Sequence, residues 1–87
     1  MHESSLINGL IRQVETVARQ NNARFVQAVR IRLGALSQIS ADHFREHFVQ
    51  ASAGTMAQNA RLDIDESSDL HDPHACEILI ESVEVAE

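Results

Sequence analysis

The sequence predicts a two-layer α/β domain of the α+β type: a three-stranded mixed sheet with two helices on one face, in the order α-β-α-β-β. Two segments place apolar residues at the i, i+3, i+4 spacing of a helix, and three others alternate or form short apolar runs, as strands do. Helical and extended segments follow one another, which favours helices packed on a sheet. At 87 residues the chain is expected to form a single domain, 1–87, with a modest core.

The first helix is predicted over residues 5–20, with Ser4 or Ser5 as its N-cap. Its apolar side is expected to comprise Leu6, Ile7, Leu10, Ile11, Val14, Val17 and Ala18. A strand is predicted over residues 25–33. One of its faces is expected to bear Phe25, Val29, Ile31 and Leu33, and the other Val26, Ala28, Arg30 and Arg32.

The second helix is predicted over residues 41–53. Ser40 is its N-cap, Asp42 in its first turn complements the helix dipole, and Gly54 is the expected stop. Ile39 and Phe44 have the spacing of a hydrophobic staple. The buried stripe is expected to comprise Ala41, Phe44, Phe48 and Ala51.

Two further strands are predicted over residues 59–65 and 75–85, joined by a polar loop at 67–74. The strand–helix–strand unit at 25–65 favours a parallel crossover. Because the last loop is short, the final strand is expected to pair antiparallel with the strand before it.

Charge is unevenly distributed along the chain. The formal net charge is −6, yet residues 1–61 carry seven arginines against four acids, whereas residues 62–87 carry nine acids and no arginine or lysine. Without Tyr or Trp, this pattern is unlike that of a nucleic-acid-binding protein and predicts arginine-bearing and acidic strands side by side. No membrane span or signal region is visible, and with its single cysteine the chain is expected in the cytoplasm.

The first three residues are the strongest candidate for metal chemistry. Met1, His2 and Glu3 offer an amine, an imidazole and backbone nitrogens that can close five- and six-membered chelate rings around one ion. A flat array of nitrogens suits Ni(II) or Cu(II), whereas Zn(II) prefers a tetrahedron.

Five stretches together resemble the HypA/HybF family of hydrogenase nickel-incorporation proteins: MHESSLINGLIRQVE, RIRLGALSQIS, ASAGT, LDIDE and the terminal ESVEVAE. The resemblance implies a metallochaperone, not an enzyme, that carries Ni(II) bound to Met1, His2 and Glu3. It also implies the large subunit of [NiFe]-hydrogenase and a HypB-like GTPase as partners, and self-association into a homo-oligomer is a further expectation.

The chain departs from this family between its last two strands. The family inserts a zinc ribbon with two Cys-x-x-Cys pairs there, whereas this chain has the loop 67–74 and only Cys76. One cysteine cannot form a four-thiolate site, so no structural zinc is expected.

Two other groups of residues are metal-like. Asp42 and His43 are candidate auxiliary nickel contacts, and residues 43–47 match the H-x-x-E-H signature of zinc peptidases, although surface histidines are the simpler interpretation. His71, His74 and Cys76 form a looser set that is a candidate alternative metal site. No arrangement of nucleophile and base indicates catalysis.

A second function from another class also fits the sequence. A chain without the ribbon could be a metal-independent interaction module, or an accessory factor or subunit of a hydrogenase-related complex. Such a module would dock a partner through the face bearing Val26 and Ala28 or through the apolar final strand.

Overall fold

The computed structural model describes residues 3–86, with side chains from residue 5 onward. Its elements are α1 (Glu3–Gln20), β1 (Phe25–Leu33), α2 (Ala41–Ser52), β2 (Arg61–Glu66) and β3 (Ile78–Ala86). The predicted order and the three-stranded mixed sheet are confirmed. Helix α1 begins earlier than predicted, so Ser4 and Ser5 lie within the helix instead of capping it.

Strand β1 lies at the centre of the sheet, whose order is β2-β1-β3. Its pairing with β2 is parallel, with Val29 opposite Leu62 and Ile31 opposite Ile64, as the crossover prediction required. Its pairing with β3 is antiparallel, and Leu33 lies opposite Ile78.

The expected pairing of the last strand with the strand before it is therefore wrong: β3 keeps its antiparallel direction but pairs with β1. The chain reaches the far edge of the sheet by passing the carboxyl end of β1, where Ser67 donates to the carbonyl of Leu33 and Gly34 donates to that of Glu77, each at 2.9 Å. The electrostatic reason lies in the sequences of β2 and β3, since both are acidic. Placed side by side, they would have set like charges against one another, which destabilises a sheet.

The core lies between the helices and one face of the sheet. It comprises Ile7, Leu10, Ile11, Val14, Ala18, Val26, Val29, Ile31, Leu33, Phe44, Phe48, Ala57 and Leu62. From α2, Phe44 and Phe48 are buried and stack at a ring-centroid distance of 5.9 Å. The predicted stripe of α2 is correct in outline, with Ala41 and Ala51 half-buried beside the core.

The first residues of β1 contradict the predicted faces. Phe25 is exposed, whereas Val26 is buried in the core, and the pairing with β3 skips one residue between Val26 and Ala28. This extra residue is a β-bulge, which reverses the alternation of side chains on either side of it. Because Val26 and Ala28 are only 1% and 3% exposed, the partner-docking face expected at these two residues does not exist.

The opposite face of the sheet is charged. Arg30 lies 3.6 Å from Glu81 of β3, and Arg61 of β2 lies 3.8 Å from Glu84 of β3. The arginine-bearing central strand thus runs between two acidic strands, and the predicted juxtaposition of opposite charges is confirmed. Among the described residues, no helix is long and apolar enough to cross a membrane.

Candidate metal centre

The predicted nickel ligands lie at the beginning of the chain. Met1 and His2 lie outside the described residues, and Glu3 is the first residue of α1. Their role in holding nickel therefore stays a prediction. The structure shows which residues of α2 lie near the early part of α1.

Helix α2 presents two histidines on one side. The helix starts at the predicted N-cap, where Ser40 Oγ accepts a hydrogen bond from the backbone nitrogen of His43 at 3.1 Å. His43 and His47 are four residues apart, so they are neighbours on the helix surface. Their Nε2 atoms lie 2.8 Å apart, and their ring centroids lie 4.5 Å apart with the planes tilted by 45°.

A groove between the helices connects this pair to the early part of α1. It has a volume of about 260 Å³ and is lined by Ile7 and Asn8 from α1 and by His47, Gln50 and Ala51 from α2. Helix α1 leads into β1 through a short turn, and α2 links two parallel strands, so both helices run opposite to β1 and therefore in roughly the same direction. The start of α1 consequently lies toward the part of α2 that carries the two histidines.

Asp42, the other auxiliary candidate, is exposed in the first turn of α2. Its expected contact with a metal at His2 involves a residue outside the described range, so it stays a prediction. The peptidase interpretation of residues 43–47 needs a third protein ligand. Among residues 5–86, no three side chains of His, Cys, Asp or Glu are grouped to hold a metal ion.

The same observation applies to the alternative site in the loop. His71, His74 and Cys76 are exposed and are not gathered into a three-ligand group. Nδ1 of His74 instead contacts the carboxylate of Glu77. Two acids of this loop accept hydrogen bonds from its backbone: Asp69 Oδ1 from the nitrogen of His71 and Asp72 Oδ1 from that of His74, each at 2.9 Å.

The loop between β2 and β3 is docked on the turn that follows β1. The nitrogen of Leu36 donates to the carbonyl of Ala75 at 2.7 Å, and Ala75 itself is buried. Arg32 of β1 reaches the same loop, with Nη2 3.3 Å from Ser67 Oγ and 3.5 Å from Asp72 Oδ2. These hydrogen bonds and this ion pair within the chain hold the loop against the rest of the domain.

Sequence reasoning missed the groove between α1 and α2. The H-x-x-E-H spacing showed that two imidazoles share a helix face, but it carried no information on which element packs beside them. The signal available was the apolar stripe of α1, whose early residue Ile7 packs in the core that α2 covers.

The fold and the candidate ligands at the N-terminus are those of a small α+β metal-binding protein. Comparison with known proteins identifies its family. The family model described as hydrogenase/urease nickel incorporation, metallochaperone, hypA matches residues 1–86. The chain belongs to this HypA family, which is a family of metallochaperones and not of enzymes.

Individual relatives agree with this assignment. Hydrogenase maturation factor HypA of Methylocella silvestris is 42% identical over 65 residues, covering 75% of this chain and 58% of the relative. The factor of the same name from Archaeoglobus fulgidus is 39% identical over 64 residues, covering 74% of this chain and 58% of the relative. The chain thus spans a little over half the length of the curated relatives it matches.

Solved structures support the fold. The solution structure of the Ni metallochaperone HypA from Helicobacter pylori superposes with a TM-score of 0.81 at 20% identity, covering 99% of this chain and 98% of that one. A second HypA solution structure gives 0.76 at 22% identity, covering 98% and 96%. At this level of identity the likeness concerns the arrangement of the elements.

Proposed function

We propose that this chain carries nickel for the maturation of [NiFe]-hydrogenase, binding Ni(II) through Met1, His2 and Glu3. The observation that carries the proposal is the family match, which starts at residue 1 and so includes the Met-His-Glu motif. The fold supports it, because α1, whose first residue is Glu3, packs on the core of the domain.

The large subunit of the hydrogenase and a HypB-like GTPase are the proposed partners, and the cytoplasm is the proposed compartment. The names of the relatives support the maturation role, since they are hydrogenase maturation factors. In this proposal residues 1–87 form one nickel-binding domain in which the docked loop stands where other members carry a ribbon, and self-association stays a prediction.

A titration with nickel sulfate tests the proposed chelate. Protein whose first residue is verified by mass spectrometry as Met1 should develop the weak yellow absorption of square-planar Ni(II). One alanine added before Met1 converts the terminal amine into an amide, so the band should disappear, and His2→Ala should abolish it too. His71→Ala, which changes an exposed histidine elsewhere, is the matched control.

Acid should weaken the same chelate. Its nitrogens must lose protons to bind nickel, and the reference pKa of an imidazole is about 6.5, so nickel affinity should fall as the pH drops through that value. A yellow band of equal intensity in the extended and unmodified proteins would sink the proposal.

A metal-independent interaction module is the second candidate function. The structure removes the Val26 face from this candidate but favours the edge: β3 is an outer strand of the sheet, and β-strand addition uses such edges. This function predicts a complex with a hydrogenase subunit or maturation factor that survives His2→Ala unchanged. Loss of the complex in a folded His2→Ala protein would exclude it.

A further inference from the structure

We propose that His43 and His47 form a second metal site, which binds a divalent transition-metal ion such as Ni(II) or Cu(II) on the surface of α2. The site is distinct from the proposed N-terminal chelate and needs none of its ligands. Its carrying observation is the convergence of the two Nε2 atoms at 2.8 Å.

The distance between these nitrogens matches the bite of one ion. Two imidazole nitrogens that bind a metal at about 2.0 Å and at a right angle lie about 2.8 Å apart, whereas a tetrahedral angle would require about 3.3 Å. The two nitrogens are therefore already about as close together as two imidazole ligands of one ion, and only a small turn of the rings is needed to bind it. Nitrogen ligation in tetragonal geometry is characteristic of Ni(II) and Cu(II).

The packing of α2 on the core holds the two histidines in place. Phe44 lies between the two histidines in sequence and Phe48 follows them, and both rings are buried in the core, which fixes the rotation of α2 about its axis. The Ser40 cap fixes its first turn. A pair of ligands on a packed helix keeps its geometry better than a pair on a loop does.

Binding a metal ion requires the Nε2 lone pair of each imidazole. In the imidazole pair, one Nε2 donates its hydrogen to the other, so one ring carries its proton on Nε2. That ring must move its proton to Nδ1 and turn slightly, after which both Nε2 lone pairs are directed at the ion. Water molecules complete the coordination sphere, since none of the described carboxylates or thiols joins the pair in a three-ligand group.

The position of the pair favours a role in passing metal along the surface. His47 lines the groove that also contains Ile7 and Asn8, so an ion on the pair lies beside the early turns of α1. A labile two-imidazole site there would receive metal from solvent or exchange it with ligands near the start of α1.

Nickel sulfate titration of the protein extended by one alanine before Met1 isolates this site, because the extension disables the amine-dependent chelate. We expect one nickel ion to bind per chain. Because Ni(II) with water ligands should be paramagnetic, it should broaden the ring signals of His43 and His47 in NMR spectra. His43→Gln and His47→Gln should each lower affinity at least as much as losing an outer-shell partner does, about 10- to 100-fold.

His71→Gln in the same extended protein is the matched control and should bind nickel like its parent. His43→Gln keeps the backbone nitrogen that Ser40 caps, so its fold should be preserved, and circular dichroism checks this. No binding by the extended protein, or equal affinity in all four proteins, overturns the second site. The square-planar band of the unextended protein reports separately on the proposed function.

Discussion

Two histidines lie on α2 and two lie in the loop between β2 and β3, and the two regions treat them differently. On α2 the helical spacing and the buried phenylalanine rings bring the imidazole nitrogens of His43 and His47 to 2.8 Å. In the loop, His71 and His74 are one residue closer in sequence, yet Nδ1 of His74 contacts the carboxylate of Glu77. Two histidines that are close in sequence converge only where a packed helix presents both side chains on the same face.

The loop uses its polar residues for another purpose. Its carboxylates and hydroxyls accept from its own backbone, as Ser67 Oγ does from the nitrogen of Asp69 at 3.2 Å. Side chains committed to turn formation compete with metal coordination for the same oxygens. Helix α2 is thus held by the burial of its side chains and the loop by hydrogen bonds. Three stability experiments test this difference.

The largest effect is expected from Phe44→Ala on α2. The ring is completely buried, and removing such a side chain costs about 3–5 kcal/mol of unfolding free energy. Leu70→Ala is the matched change in the loop. Since Leu70 is 61% exposed, it should alter stability by no more than about 0.5 kcal/mol. Urea unfolding of both variants measures the difference, and similar costs at the two positions would show that burial does not distinguish the regions.

A smaller effect is expected where the loop meets the body. A Cβ on Gly34 would overlap the backbone carbonyl oxygen of Ala75 and lie 2.6 Å from its carbon, and the backbone there cannot yield without moving the loop. Gly34→Ala should therefore cost about 1–3 kcal/mol, the usual penalty of overpacking. Faster proteolysis within residues 67–77 should accompany the loss in urea unfolding.

Gly9→Ala is the control for the chemical change itself. Gly9 lies within α1, where the nearest atom to an added Cβ is Arg12 Nη2 at 3.9 Å. The same substitution should here stabilise the protein by about 0.5–1 kcal/mol, because glycine is the poorer helix former. Equal stability of the Gly34→Ala protein and its parent would mean that the loop is not docked as described.

Much of this fold was predictable from periodicity. Local sequence patterns are enough to predict the bounds of β1, the cap at Ser40 and the burial of Phe44 and Phe48. These features depend on neighbouring residues in the sequence and not on distant ones. The partner of β3 required a comparison between strands. Asp63 and Asp65 on β2 would face the acids of β3 if the two strands paired, and the arginines of β1 offered the better neighbour to each.

Other features could not be predicted from one sequence. The bulge after Val26 leaves no mark in the alternation of residues 25–33, because apolar residues occupy both possible phases there. The convergence of His43 and His47 followed from their spacing, but the groove beside them depends on how α1 packs on α2. Packing between distant elements is set by the whole core and not by either segment alone.

The smallest effect is expected from removing metal. The loop is tied to the body by backbone bonds from Gly34 and Leu36 and by Arg32, and none of these contacts involves a metal ligand. Structural zinc in ribbon domains contributes on the order of 10 kcal/mol to folding, so a hidden zinc site would reveal itself strongly. Strong chelator should shift the melting temperature by less than the 4–8 °C that about 1 kcal/mol would produce in a domain of this size.

Calorimetry with and without chelator, alongside metal analysis of the purified protein, measures this. The triple variant His71→Ala, His74→Ala, Cys76→Ser is the control, and its melting temperature should respond to chelator as the parent's does. Because Ala75 and the backbone carbonyls that dock the loop remain in the triple variant, its folding should also stay cooperative. Stoichiometric zinc that leaves together with the fold, and is missing from the triple variant, would show that the loop assembles a metal site after all and that its hydrogen bonds are secondary.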